Sequence, residues 1–207
     1  EKYNIPTAKF GVFKKIEDAN LFIKNSKFPL VVKADGLASG KGVAVCQNRD
    51  EALSALDNSM IQRVFGASGD CVLIEECLAG QEVSVFAFTD GKHLSPLVAA
   101  CDYKRAFDND LGPNTGGMGS FSPPAFWTAN LSKEIRDAIM DPIIQAMGME
   151  GYEFKGVIYA GLMLTVDGPK VIEFNCRLGD PETQVLLPRM RSDLVDVLLA
   201  IVDGKVE

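Results

Sequence analysis

The 207-residue chain contains one histidine, one tryptophan and no two cysteines in CxxC spacing. A single histidine, His93, excludes a multi-histidine metal site, which needs several imidazoles on one ion. A Ser-His-Asp triad keeps only this candidate, and His93 follows an Asp90-Gly91 turn signal, where a surface or structural role is expected. The cysteines (Cys46, Cys71, Cys77, Cys101 and Cys176) are odd in number and scattered. That pattern fits reduced thiols in a cytoplasmic protein, not a disulfide framework. No apolar run reaches the roughly 18 residues of a membrane helix; the best stretch, 157–166, is far too short. Positive charge is scarce as well. Lys plus Arg number 21 against 28 Asp plus Glu, a net −7, which opposes a general electrostatic grip on nucleic acid but allows a local basic pocket. No nucleic-acid and no membrane partner is expected.

What is present is a globular composition, 47% apolar and 24% charged. The length suits one or two domains. The chain opens at Glu1 without a methionine, and an apolar segment at 194–202 stops close to its other end. The expectation is a piece of a longer protein.

The pattern along the chain mixes strands and helices. An amphipathic helix is expected near 16–23, with Glu17 and Asp18 at its start, then a strand at 30–34 after Pro29. A glycine-rich loop (35–42) leads to a second strand at 43–46. Asp50 is the expected cap of a helix whose inner face is Ala52, Leu53, Leu56 and Met60. Strands are read at 72–75, 83–89 and 94–100, the last two as a hairpin around Asp90-Gly91. Residues 104–124 hold glycines and prolines without apolar periodicity and read as a functional loop. A helix capped by Ser132 runs to about 147, disturbed by Pro142, followed by a hairpin at 157–166 and 170–174 and a last helix from about 192. The class is α+β, in two lobes: 1–75, carrying the glycine-rich loop, and 76–207.

Three segments carry chemistry. In 33–42, Lys33-Ala-Asp-Gly36-Leu-Ala-Ser-Gly40-Lys41-Gly42, glycines let backbone N–H groups approach a phosphate while the lysines add charge. It is not a Walker loop, because the GxxxxGK[ST] spacing fails and a strand follows; an ordinary hairpin remains open. Glu75, Glu76 and Glu82 stand at and after a buried strand end, where carboxylates suit an amino group and ribose hydroxyls or are simply solvated. In 171–177, alternation puts Glu173, Asn175 and Arg177 on one strand face and Ile172, Phe174 and Cys176 toward the core. A carboxylate and an amide oxygen suit Mg²⁺, and an arginine beside them can stabilise charge on a transferred phosphoryl group; a solvated Glu-Arg pair is the bland alternative.

Together with 102–105 (Asp-Tyr-Lys-Arg), 112–119 (Gly-Pro-Asn-Thr-Gly-Gly-Met-Gly) and the run from Glu173 through Gly179-Asp180-Pro181-Glu182-Thr183-Gln184, these segments resemble the ATP-grasp superfamily. Within it they are similar to the phosphoribosylamine–glycine ligase family of purine synthesis, over essentially the whole chain. The resemblance implies a fold of two lobes with ATP between them, and a longer enzyme with further N- and C-terminal domains. It implies that the carboxylate of glycine takes the γ-phosphoryl of ATP and that the amine of 5-phosphoribosylamine then displaces phosphate. The activation is needed because a carboxylate is a poor electrophile, and the acyl phosphate must be kept from water.

By the same resemblance, Lys33 reaches the ATP phosphates and Gly36, Gly40, Lys41 and Gly42 belong to a lid. Glu75, Glu76 and Leu78 form the adenine hinge, with Glu75 accepting from the amino group and the Leu78 N–H donating; Glu82 holds the ribose. Lys104, Arg105 and Asn114 contact phosphates or the acyl phosphate, and Arg177 stabilises the transition state. Glu173 and Asn175 are the Mg²⁺ (or Mn²⁺) ligands. Asp102, Gly116, Gly117 and Met118 border the substrates, and Asp180 and Glu182 position the glycine ammonium or the ribosylamine. One departure stands out: the preceding strand reads Tyr159-Ala-Gly161-Leu-Met163, without the further acidic ligand of many ATP-grasp enzymes. A different acceptor, or a nucleotide-binding module without turnover of its own, are the other readings.

Overall fold

The computed structural model describes residues 2–36, 38, 42–108 and 111–206. It divides into two compact units, Ala8–Leu78 and the remainder. The expected division at 75/76 would cut a strand: Glu76 pairs with Leu30, and its N–H donates to the Lys9 carbonyl at 2.9 Å. Residues up to Thr7 go with the later unit because Thr7 bridges Val171, whose N–H donates to the Pro6 carbonyl at 2.8 Å.

In the shorter unit, strands β1 (Phe10–Phe13), β2 (Leu30–Ala34), β3 (Val43–Cys46) and β4 (Val72–Glu76) form an antiparallel sheet in the order β1-β4-β2-β3. Helices α1 (Ile16–Asn25) and α2 (Arg49–Met60) cover one face, burying Ala19, Ile23, Ala52 and Leu56 against Leu30, Val32, Val72 and Ile74. α2 is capped by Asn48, not Asp50. The Asn48 side chain accepts from the Glu51 N–H at 3.0 Å, and Glu51 reaches back to the Gln47 N–H at 2.8 Å, so Asp50 falls within the first turn. Strand β1 has no counterpart among the expected elements, because four residues flanked by turns carry too little periodicity to read.

In the longer unit, β5 (Gln81–Thr89), β6 (Val98–Asp102), β9 (Ser120–Phe121), β10 (Gly156–Thr165) and β11 (Gly168–Asn175) form an antiparallel sheet ordered β11-β10-β5-β6-β9. The expected loop at 104–124 therefore contains paired backbone: β7 (Arg105–Phe107) pairs with β8 (Leu111–Asn114), and β9 joins the main sheet. One sheet face packs Val83, Val85, Ile158, Ala160, Leu162 and Val171 against Ile135, Ile139, Met140 and Ile144. Those last residues lie on α3 (Ala129–Ile135), a π-turn (Arg136–Met140) and α4 (Asp141–Met149). Thr128 caps α3 by accepting from the Leu131 N–H, leaving Ser132 inside the helix. The wide π-turn lets the helical path continue through Pro142, which has no N–H to give. On the other face Phe86, Ala100, Tyr159 and Leu186 cluster with the short α5 (Thr183–Leu186); α6 (Leu194–Asp203), capped by Asp193, follows.

The register of β11 corrects the expected alternation. Its partners step from Glu173, opposite Gly161, to Val171, opposite Leu162, so one extra residue is inserted between them. Val171 and Phe174 consequently share the core face, and Cys176, past the strand end, is exposed instead of buried.

Candidate functional site

In the shorter unit, the sheet face away from α1 and α2 carries two cross-strand rows, Phe10-Glu75-Val31-Val45 and Val12-Leu73-Lys33-Val43. Alternation puts them there because Leu30, Val32, Val72 and Ile74 are committed to the helices. Val12, Val43 and Val45 are exposed, so the face is an apolar platform. Among the described residues, Lys33 Nζ and Glu75 Oε2 form an ion pair on it at 2.7 Å. The two side chains assigned to opposite ends of a nucleotide thus meet each other. Glu76 accepts from the Lys9 N–H at 3.0 Å. Leu78 is the last residue of the unit. Gly36 packs so closely on Ser68 that a Cβ would lie 2.5 Å from its Oγ, and at Gly42 a Cβ would lie 2.7 Å from that of Ala38. Gly40 and Lys41 lie outside the described residues.

In the longer unit, the ladders place Glu82 and Ser84 (β5), Asp102 (β6), Tyr159 and Gly161 (β10) and Glu173 and Asn175 (β11) on the sheet face opposite the main core. Glu173 lies across from Gly161, which lies across from Ser84. At that glycine a Cβ would meet the Glu173 Cγ at 3.4 Å, ordinary contact. Gly161 therefore puts no side chain between Glu173 and Ser84 on this face.

The predicted metal and transition-state residues come together. Asn175 Nδ2 donates to Glu173 Oε1 at 3.1 Å, and an Arg177 nitrogen lies 3.5 Å from Asn175 Oδ1. Lys104 Nζ lies 2.5 Å from Glu82 Oε2 and 3.7 Å from Asp102 Oδ1. Burial alone would lower the Lys104 pKa, but the bond to Glu82 and the charges of Glu82, Asp102 and Glu173 raise it above the usual lysine value. Asp102 is raised by burial, with Lys104 opposing and Glu182 adding to the rise.

Arg105 is exposed and donates to the Gly112 carbonyl at 2.8 Å, across from Asn114 in the β7–β8 ladder. Segment 115–119 leans on the backbone of Tyr103 and Lys104: Thr115 N–H donates to the Lys104 carbonyl at 2.7 Å and Met118 N–H to the Tyr103 carbonyl at 2.7 Å. Gly116 is open, Met118 is exposed, and Gly117, at φ +121°, packs on Pro181. Asp180 is exposed and accepts from Gln184 Nε2 at 2.7 Å.

Glu182 sits elsewhere: it is buried, and its Oε1 accepts from the Tyr159 hydroxyl at 2.9 Å and the Ser84 hydroxyl at 3.1 Å. Sequence reasoning passed over Ser84 and Tyr159. The available signal was their parity, two hydroxyls in apolar strands on the same face as Glu82 and Gly161. Burial first, and then the charge of Glu182, keeps the Tyr159 phenol protonated far above its ordinary range, so it acts as a donor.

Among the described residues no three His, Cys, Asp or Glu side chains group to hold an ion. Glu173 and Asn175 offer two oxygens, which suits a hard cation that takes its other ligands from phosphates and water.

The family model of the phosphoribosylglycinamide synthetase ATP-grasp (A) domain matches residues 1–183. A phosphoribosylamine–glycine ligase of Caldanaerobacter subterraneus subsp. tengcongensis is 48% identical over 206 residues, covering 100% of this chain and 49% of that protein. The human trifunctional purine biosynthetic protein adenosine-3 is 47% identical over 205 residues, 99% of this chain and 20% of that protein. Among solved structures, the phosphoribosylamine–glycine ligase of Thermotoga maritima superposes with TM-score 0.91 at 38% identity, covering 100% of this chain and 52% of its own. The chain spans about half the length of the single-function ligases it matches.

Proposed function

This chain belongs to the phosphoribosylglycinamide synthetase ATP-grasp (A) domain family, and from that premise we propose that it supplies the ATP and acceptor chemistry of a ligase. The reaction joins glycine to 5-phosphoribosylamine through glycyl phosphate, giving glycinamide ribonucleotide, ADP and phosphate. The observation that carries the reading is one sheet face with Glu82, Asp102, Glu173 and Asn175, with Lys104 reaching Glu82 and Asp102 and Arg177 following Asn175.

Bound Mg²⁺, or Mn²⁺ in its place, would neutralise phosphate charge and align the γ-phosphoryl group; Glu173 and Asn175 are its ligands in this proposal. The Asn175 amide turns its nitrogen toward Glu173 in the free chain, so it would rotate to present its oxygen. Arg177 carries a fixed positive charge to where negative charge builds on the transferring group. Lys104, held protonated among carboxylates, supplies a second cation for the phosphates or the acyl phosphate, with Arg105 and Asn114 beside the same loop. Glu82 is the partner for ribose hydroxyls, exchanging its bond to Lys104 for them. Asp102, Gly116, Gly117 and Met118 border the acceptor, and Asp180, exposed and oriented by Gln184, receives the glycine ammonium.

In the shorter unit, the apolar platform suits a purine ring. Lys33 and Glu75 would part, one toward phosphate and one toward the adenine amino group, with Glu76 and the Leu78 N–H completing the hinge. Gly36 and Gly42 belong to the lid in this proposal; Gly40 and Lys41 lie outside the described residues. The five thiols are unbridged, which supports a cytoplasmic setting, and no helix among the described residues is long and apolar enough to cross a membrane. Flanking domains of a longer chain are the expected partners.

The test is glycine-dependent phosphate release by the full-length protein with 5-phosphoribosylamine, ATP and Mg²⁺. Glu173→Gln is expected to abolish it, and near-normal turnover in that variant would sink the assignment. Because the chain covers half of its relatives, a second reading is an ATP-binding portion inactive alone. Calorimetry on the chain by itself, showing ATP binding without turnover, supports that version.

A further inference from the structure

Beneath the candidate site lies a polar group that the proposed reaction does not use. Glu182 and Ser84 are each 3% exposed and Tyr159 is 7% exposed. Glu182 Oε1 takes both hydroxyls, at 2.9 and 3.1 Å, and the hydroxyl oxygens lie 2.8 Å apart. No ion pair to Glu182 occurs among the described residues. A carboxylate held this deep by neutral donors carries a desolvation penalty, so the geometry it enforces is the reason to look for a role.

Glu182 closes a loop. Residues 176–182 leave β11 directly after Asn175 and carry Arg177 and Asp180. The loop is fixed at its start by the pairing of Asn175 with Tyr159, and at its end by Glu182 on that same tyrosine and on Ser84. Between these points Gly179 rests on the carboxylate, where a Cβ would lie 2.2 Å from Oε2. The Pro181 carbonyl accepts from Ser120 Oγ at 2.7 Å, and the Pro181 ring packs on Gly117.

We propose that Glu182 is a positioning residue: its buried carboxylate clamps the loop bearing Arg177 and Asp180 onto the sheet face that holds Glu173 and Asn175. Through Pro181 the same clamp sets segment 115–120. Glu182 does not touch substrate: it is buried, its Oε1 takes the two hydroxyls and Gly179 lies against its Oε2. This assignment rests on the reaction proposed above and replaces the expectation that Glu182 meets an ammonium group.

The role predicts a definite order of replacements. Glutamine keeps the length and one acceptor oxygen for both hydroxyls, aspartate falls one methylene short, and alanine removes the clamp. In the full-length protein, kcat and KM for ATP and glycine are measured for Glu182→Ala, Glu182→Asp and Glu182→Gln, well below each variant's Tm. Glu182→Ala is expected to lose about 100-fold in kcat, the scale of an ångström of misplacement, with KM for ATP within about twofold. Glu182→Asp follows alanine, and Glu182→Gln recovers most of the loss. Hydrogen exchange of amides 176–182 and 115–120 rises in the alanine variant and returns in the glutamine variant.

Two results overturn the proposal. One is a glycine KM raised as much by Glu182→Gln as by Glu182→Ala, which would make Glu182 a substrate ligand. The other is a lowered Tm with kcat and loop exchange unchanged, which would make it packing alone. Absence of glycine-dependent turnover in the wild type would instead defeat the assigned reaction, while the exchange experiment still decides the clamp.

Discussion

Gly117→Ala tests the contact between the two loops most directly. Gly117 has φ +121°, a conformation that L side chains rarely adopt, and its new Cβ would stand 2.4 Å from Pro181 Cδ and 2.9 Å from Cγ. Carbon atoms settle at about 3.5–4.0 Å, so the loops must part by roughly 1 Å. Backbone strain of about 1–3 kcal/mol and overpacking of about 1–3 kcal/mol sum, after some relaxation, to about 2–5 kcal/mol. For a domain of this size that corresponds to a Tm of its own unfolding transition lower by roughly 5–15 °C. Because Pro181 lies between Asp180 and Glu182, the same displacement moves the 176–182 loop, and kcat is expected to fall about 100-fold. Thermal unfolding and steady-state kinetics on the full-length protein read both effects. Gly116→Ala is the stability control, since a Cβ there meets nothing within 4 Å, and its Tm should stay within about 1 °C, the range of surface substitutions. A Gly117→Ala protein with unchanged Tm and kcat within threefold would refute the reasoning.

Asp90 offers a pH test. It is buried, and its carboxylate accepts from the backbone N–H groups of Lys92 (2.9 Å), His93 (2.8 Å) and Val206 (3.1 Å), with His93 Nδ1 at 3.0 Å. Burial opposes the charge, but the hydrogen bonds to His93, Lys92 and Val206 outweigh it and hold the pKa well below the usual carboxylate range. Its folded value being depressed, the stabilisation is present above the unfolded pKa near ~3.9 and is lost as pH falls through the folded value. Asp90→Asn should cost about 1.5–3 kcal/mol at pH 7 and flatten the acid limb in denaturant titrations; an unchanged limb would contradict it. For Lys104 the sign reverses: its raised pKa keeps the ammonium charged until pH passes the folded value, above the ordinary ~10.4. Lys104→Gln should therefore depress turnover evenly from pH 6 to 9, and an alkaline limb near pH 8 that vanishes in this variant would disprove the assignment.

Much of the site was legible before folding. Glu173, Asn175 and Arg177 were placed together by strand alternation, and the structure links them in a chain of contacts. The same rule failed on Cys176, which lies past the end of β11, and on Ile172, whose place in the core is taken by Val171 because the extra residue in β11 is dictated by pairing with β10, which no local pattern records. The short strands within 104–124 escaped notice for the same reason. Two to four residues flanked by glycine and proline carry no period, and they are strands only because a partner is present. Asn48 displaced Asp50 as a cap because the winning residue is the one with Glu51 three positions on, a choice decided by geometry at the helix start.

The sequence by itself determined the α+β class and the types of residue available for phosphate and metal chemistry, since these follow from pattern and spacing, and its long motifs carried the resemblance to the family. Only the tertiary structure decided which groups meet. It paired Lys33 with Glu75 and Lys104 with Glu82, and it buried Glu182 on Tyr159 and Ser84 while leaving Asp180 exposed. A carboxylate has the same chemistry wherever the chain places it. Whether it faces a substrate or holds a loop depends on donors far away in sequence, and those are brought to it by strand register.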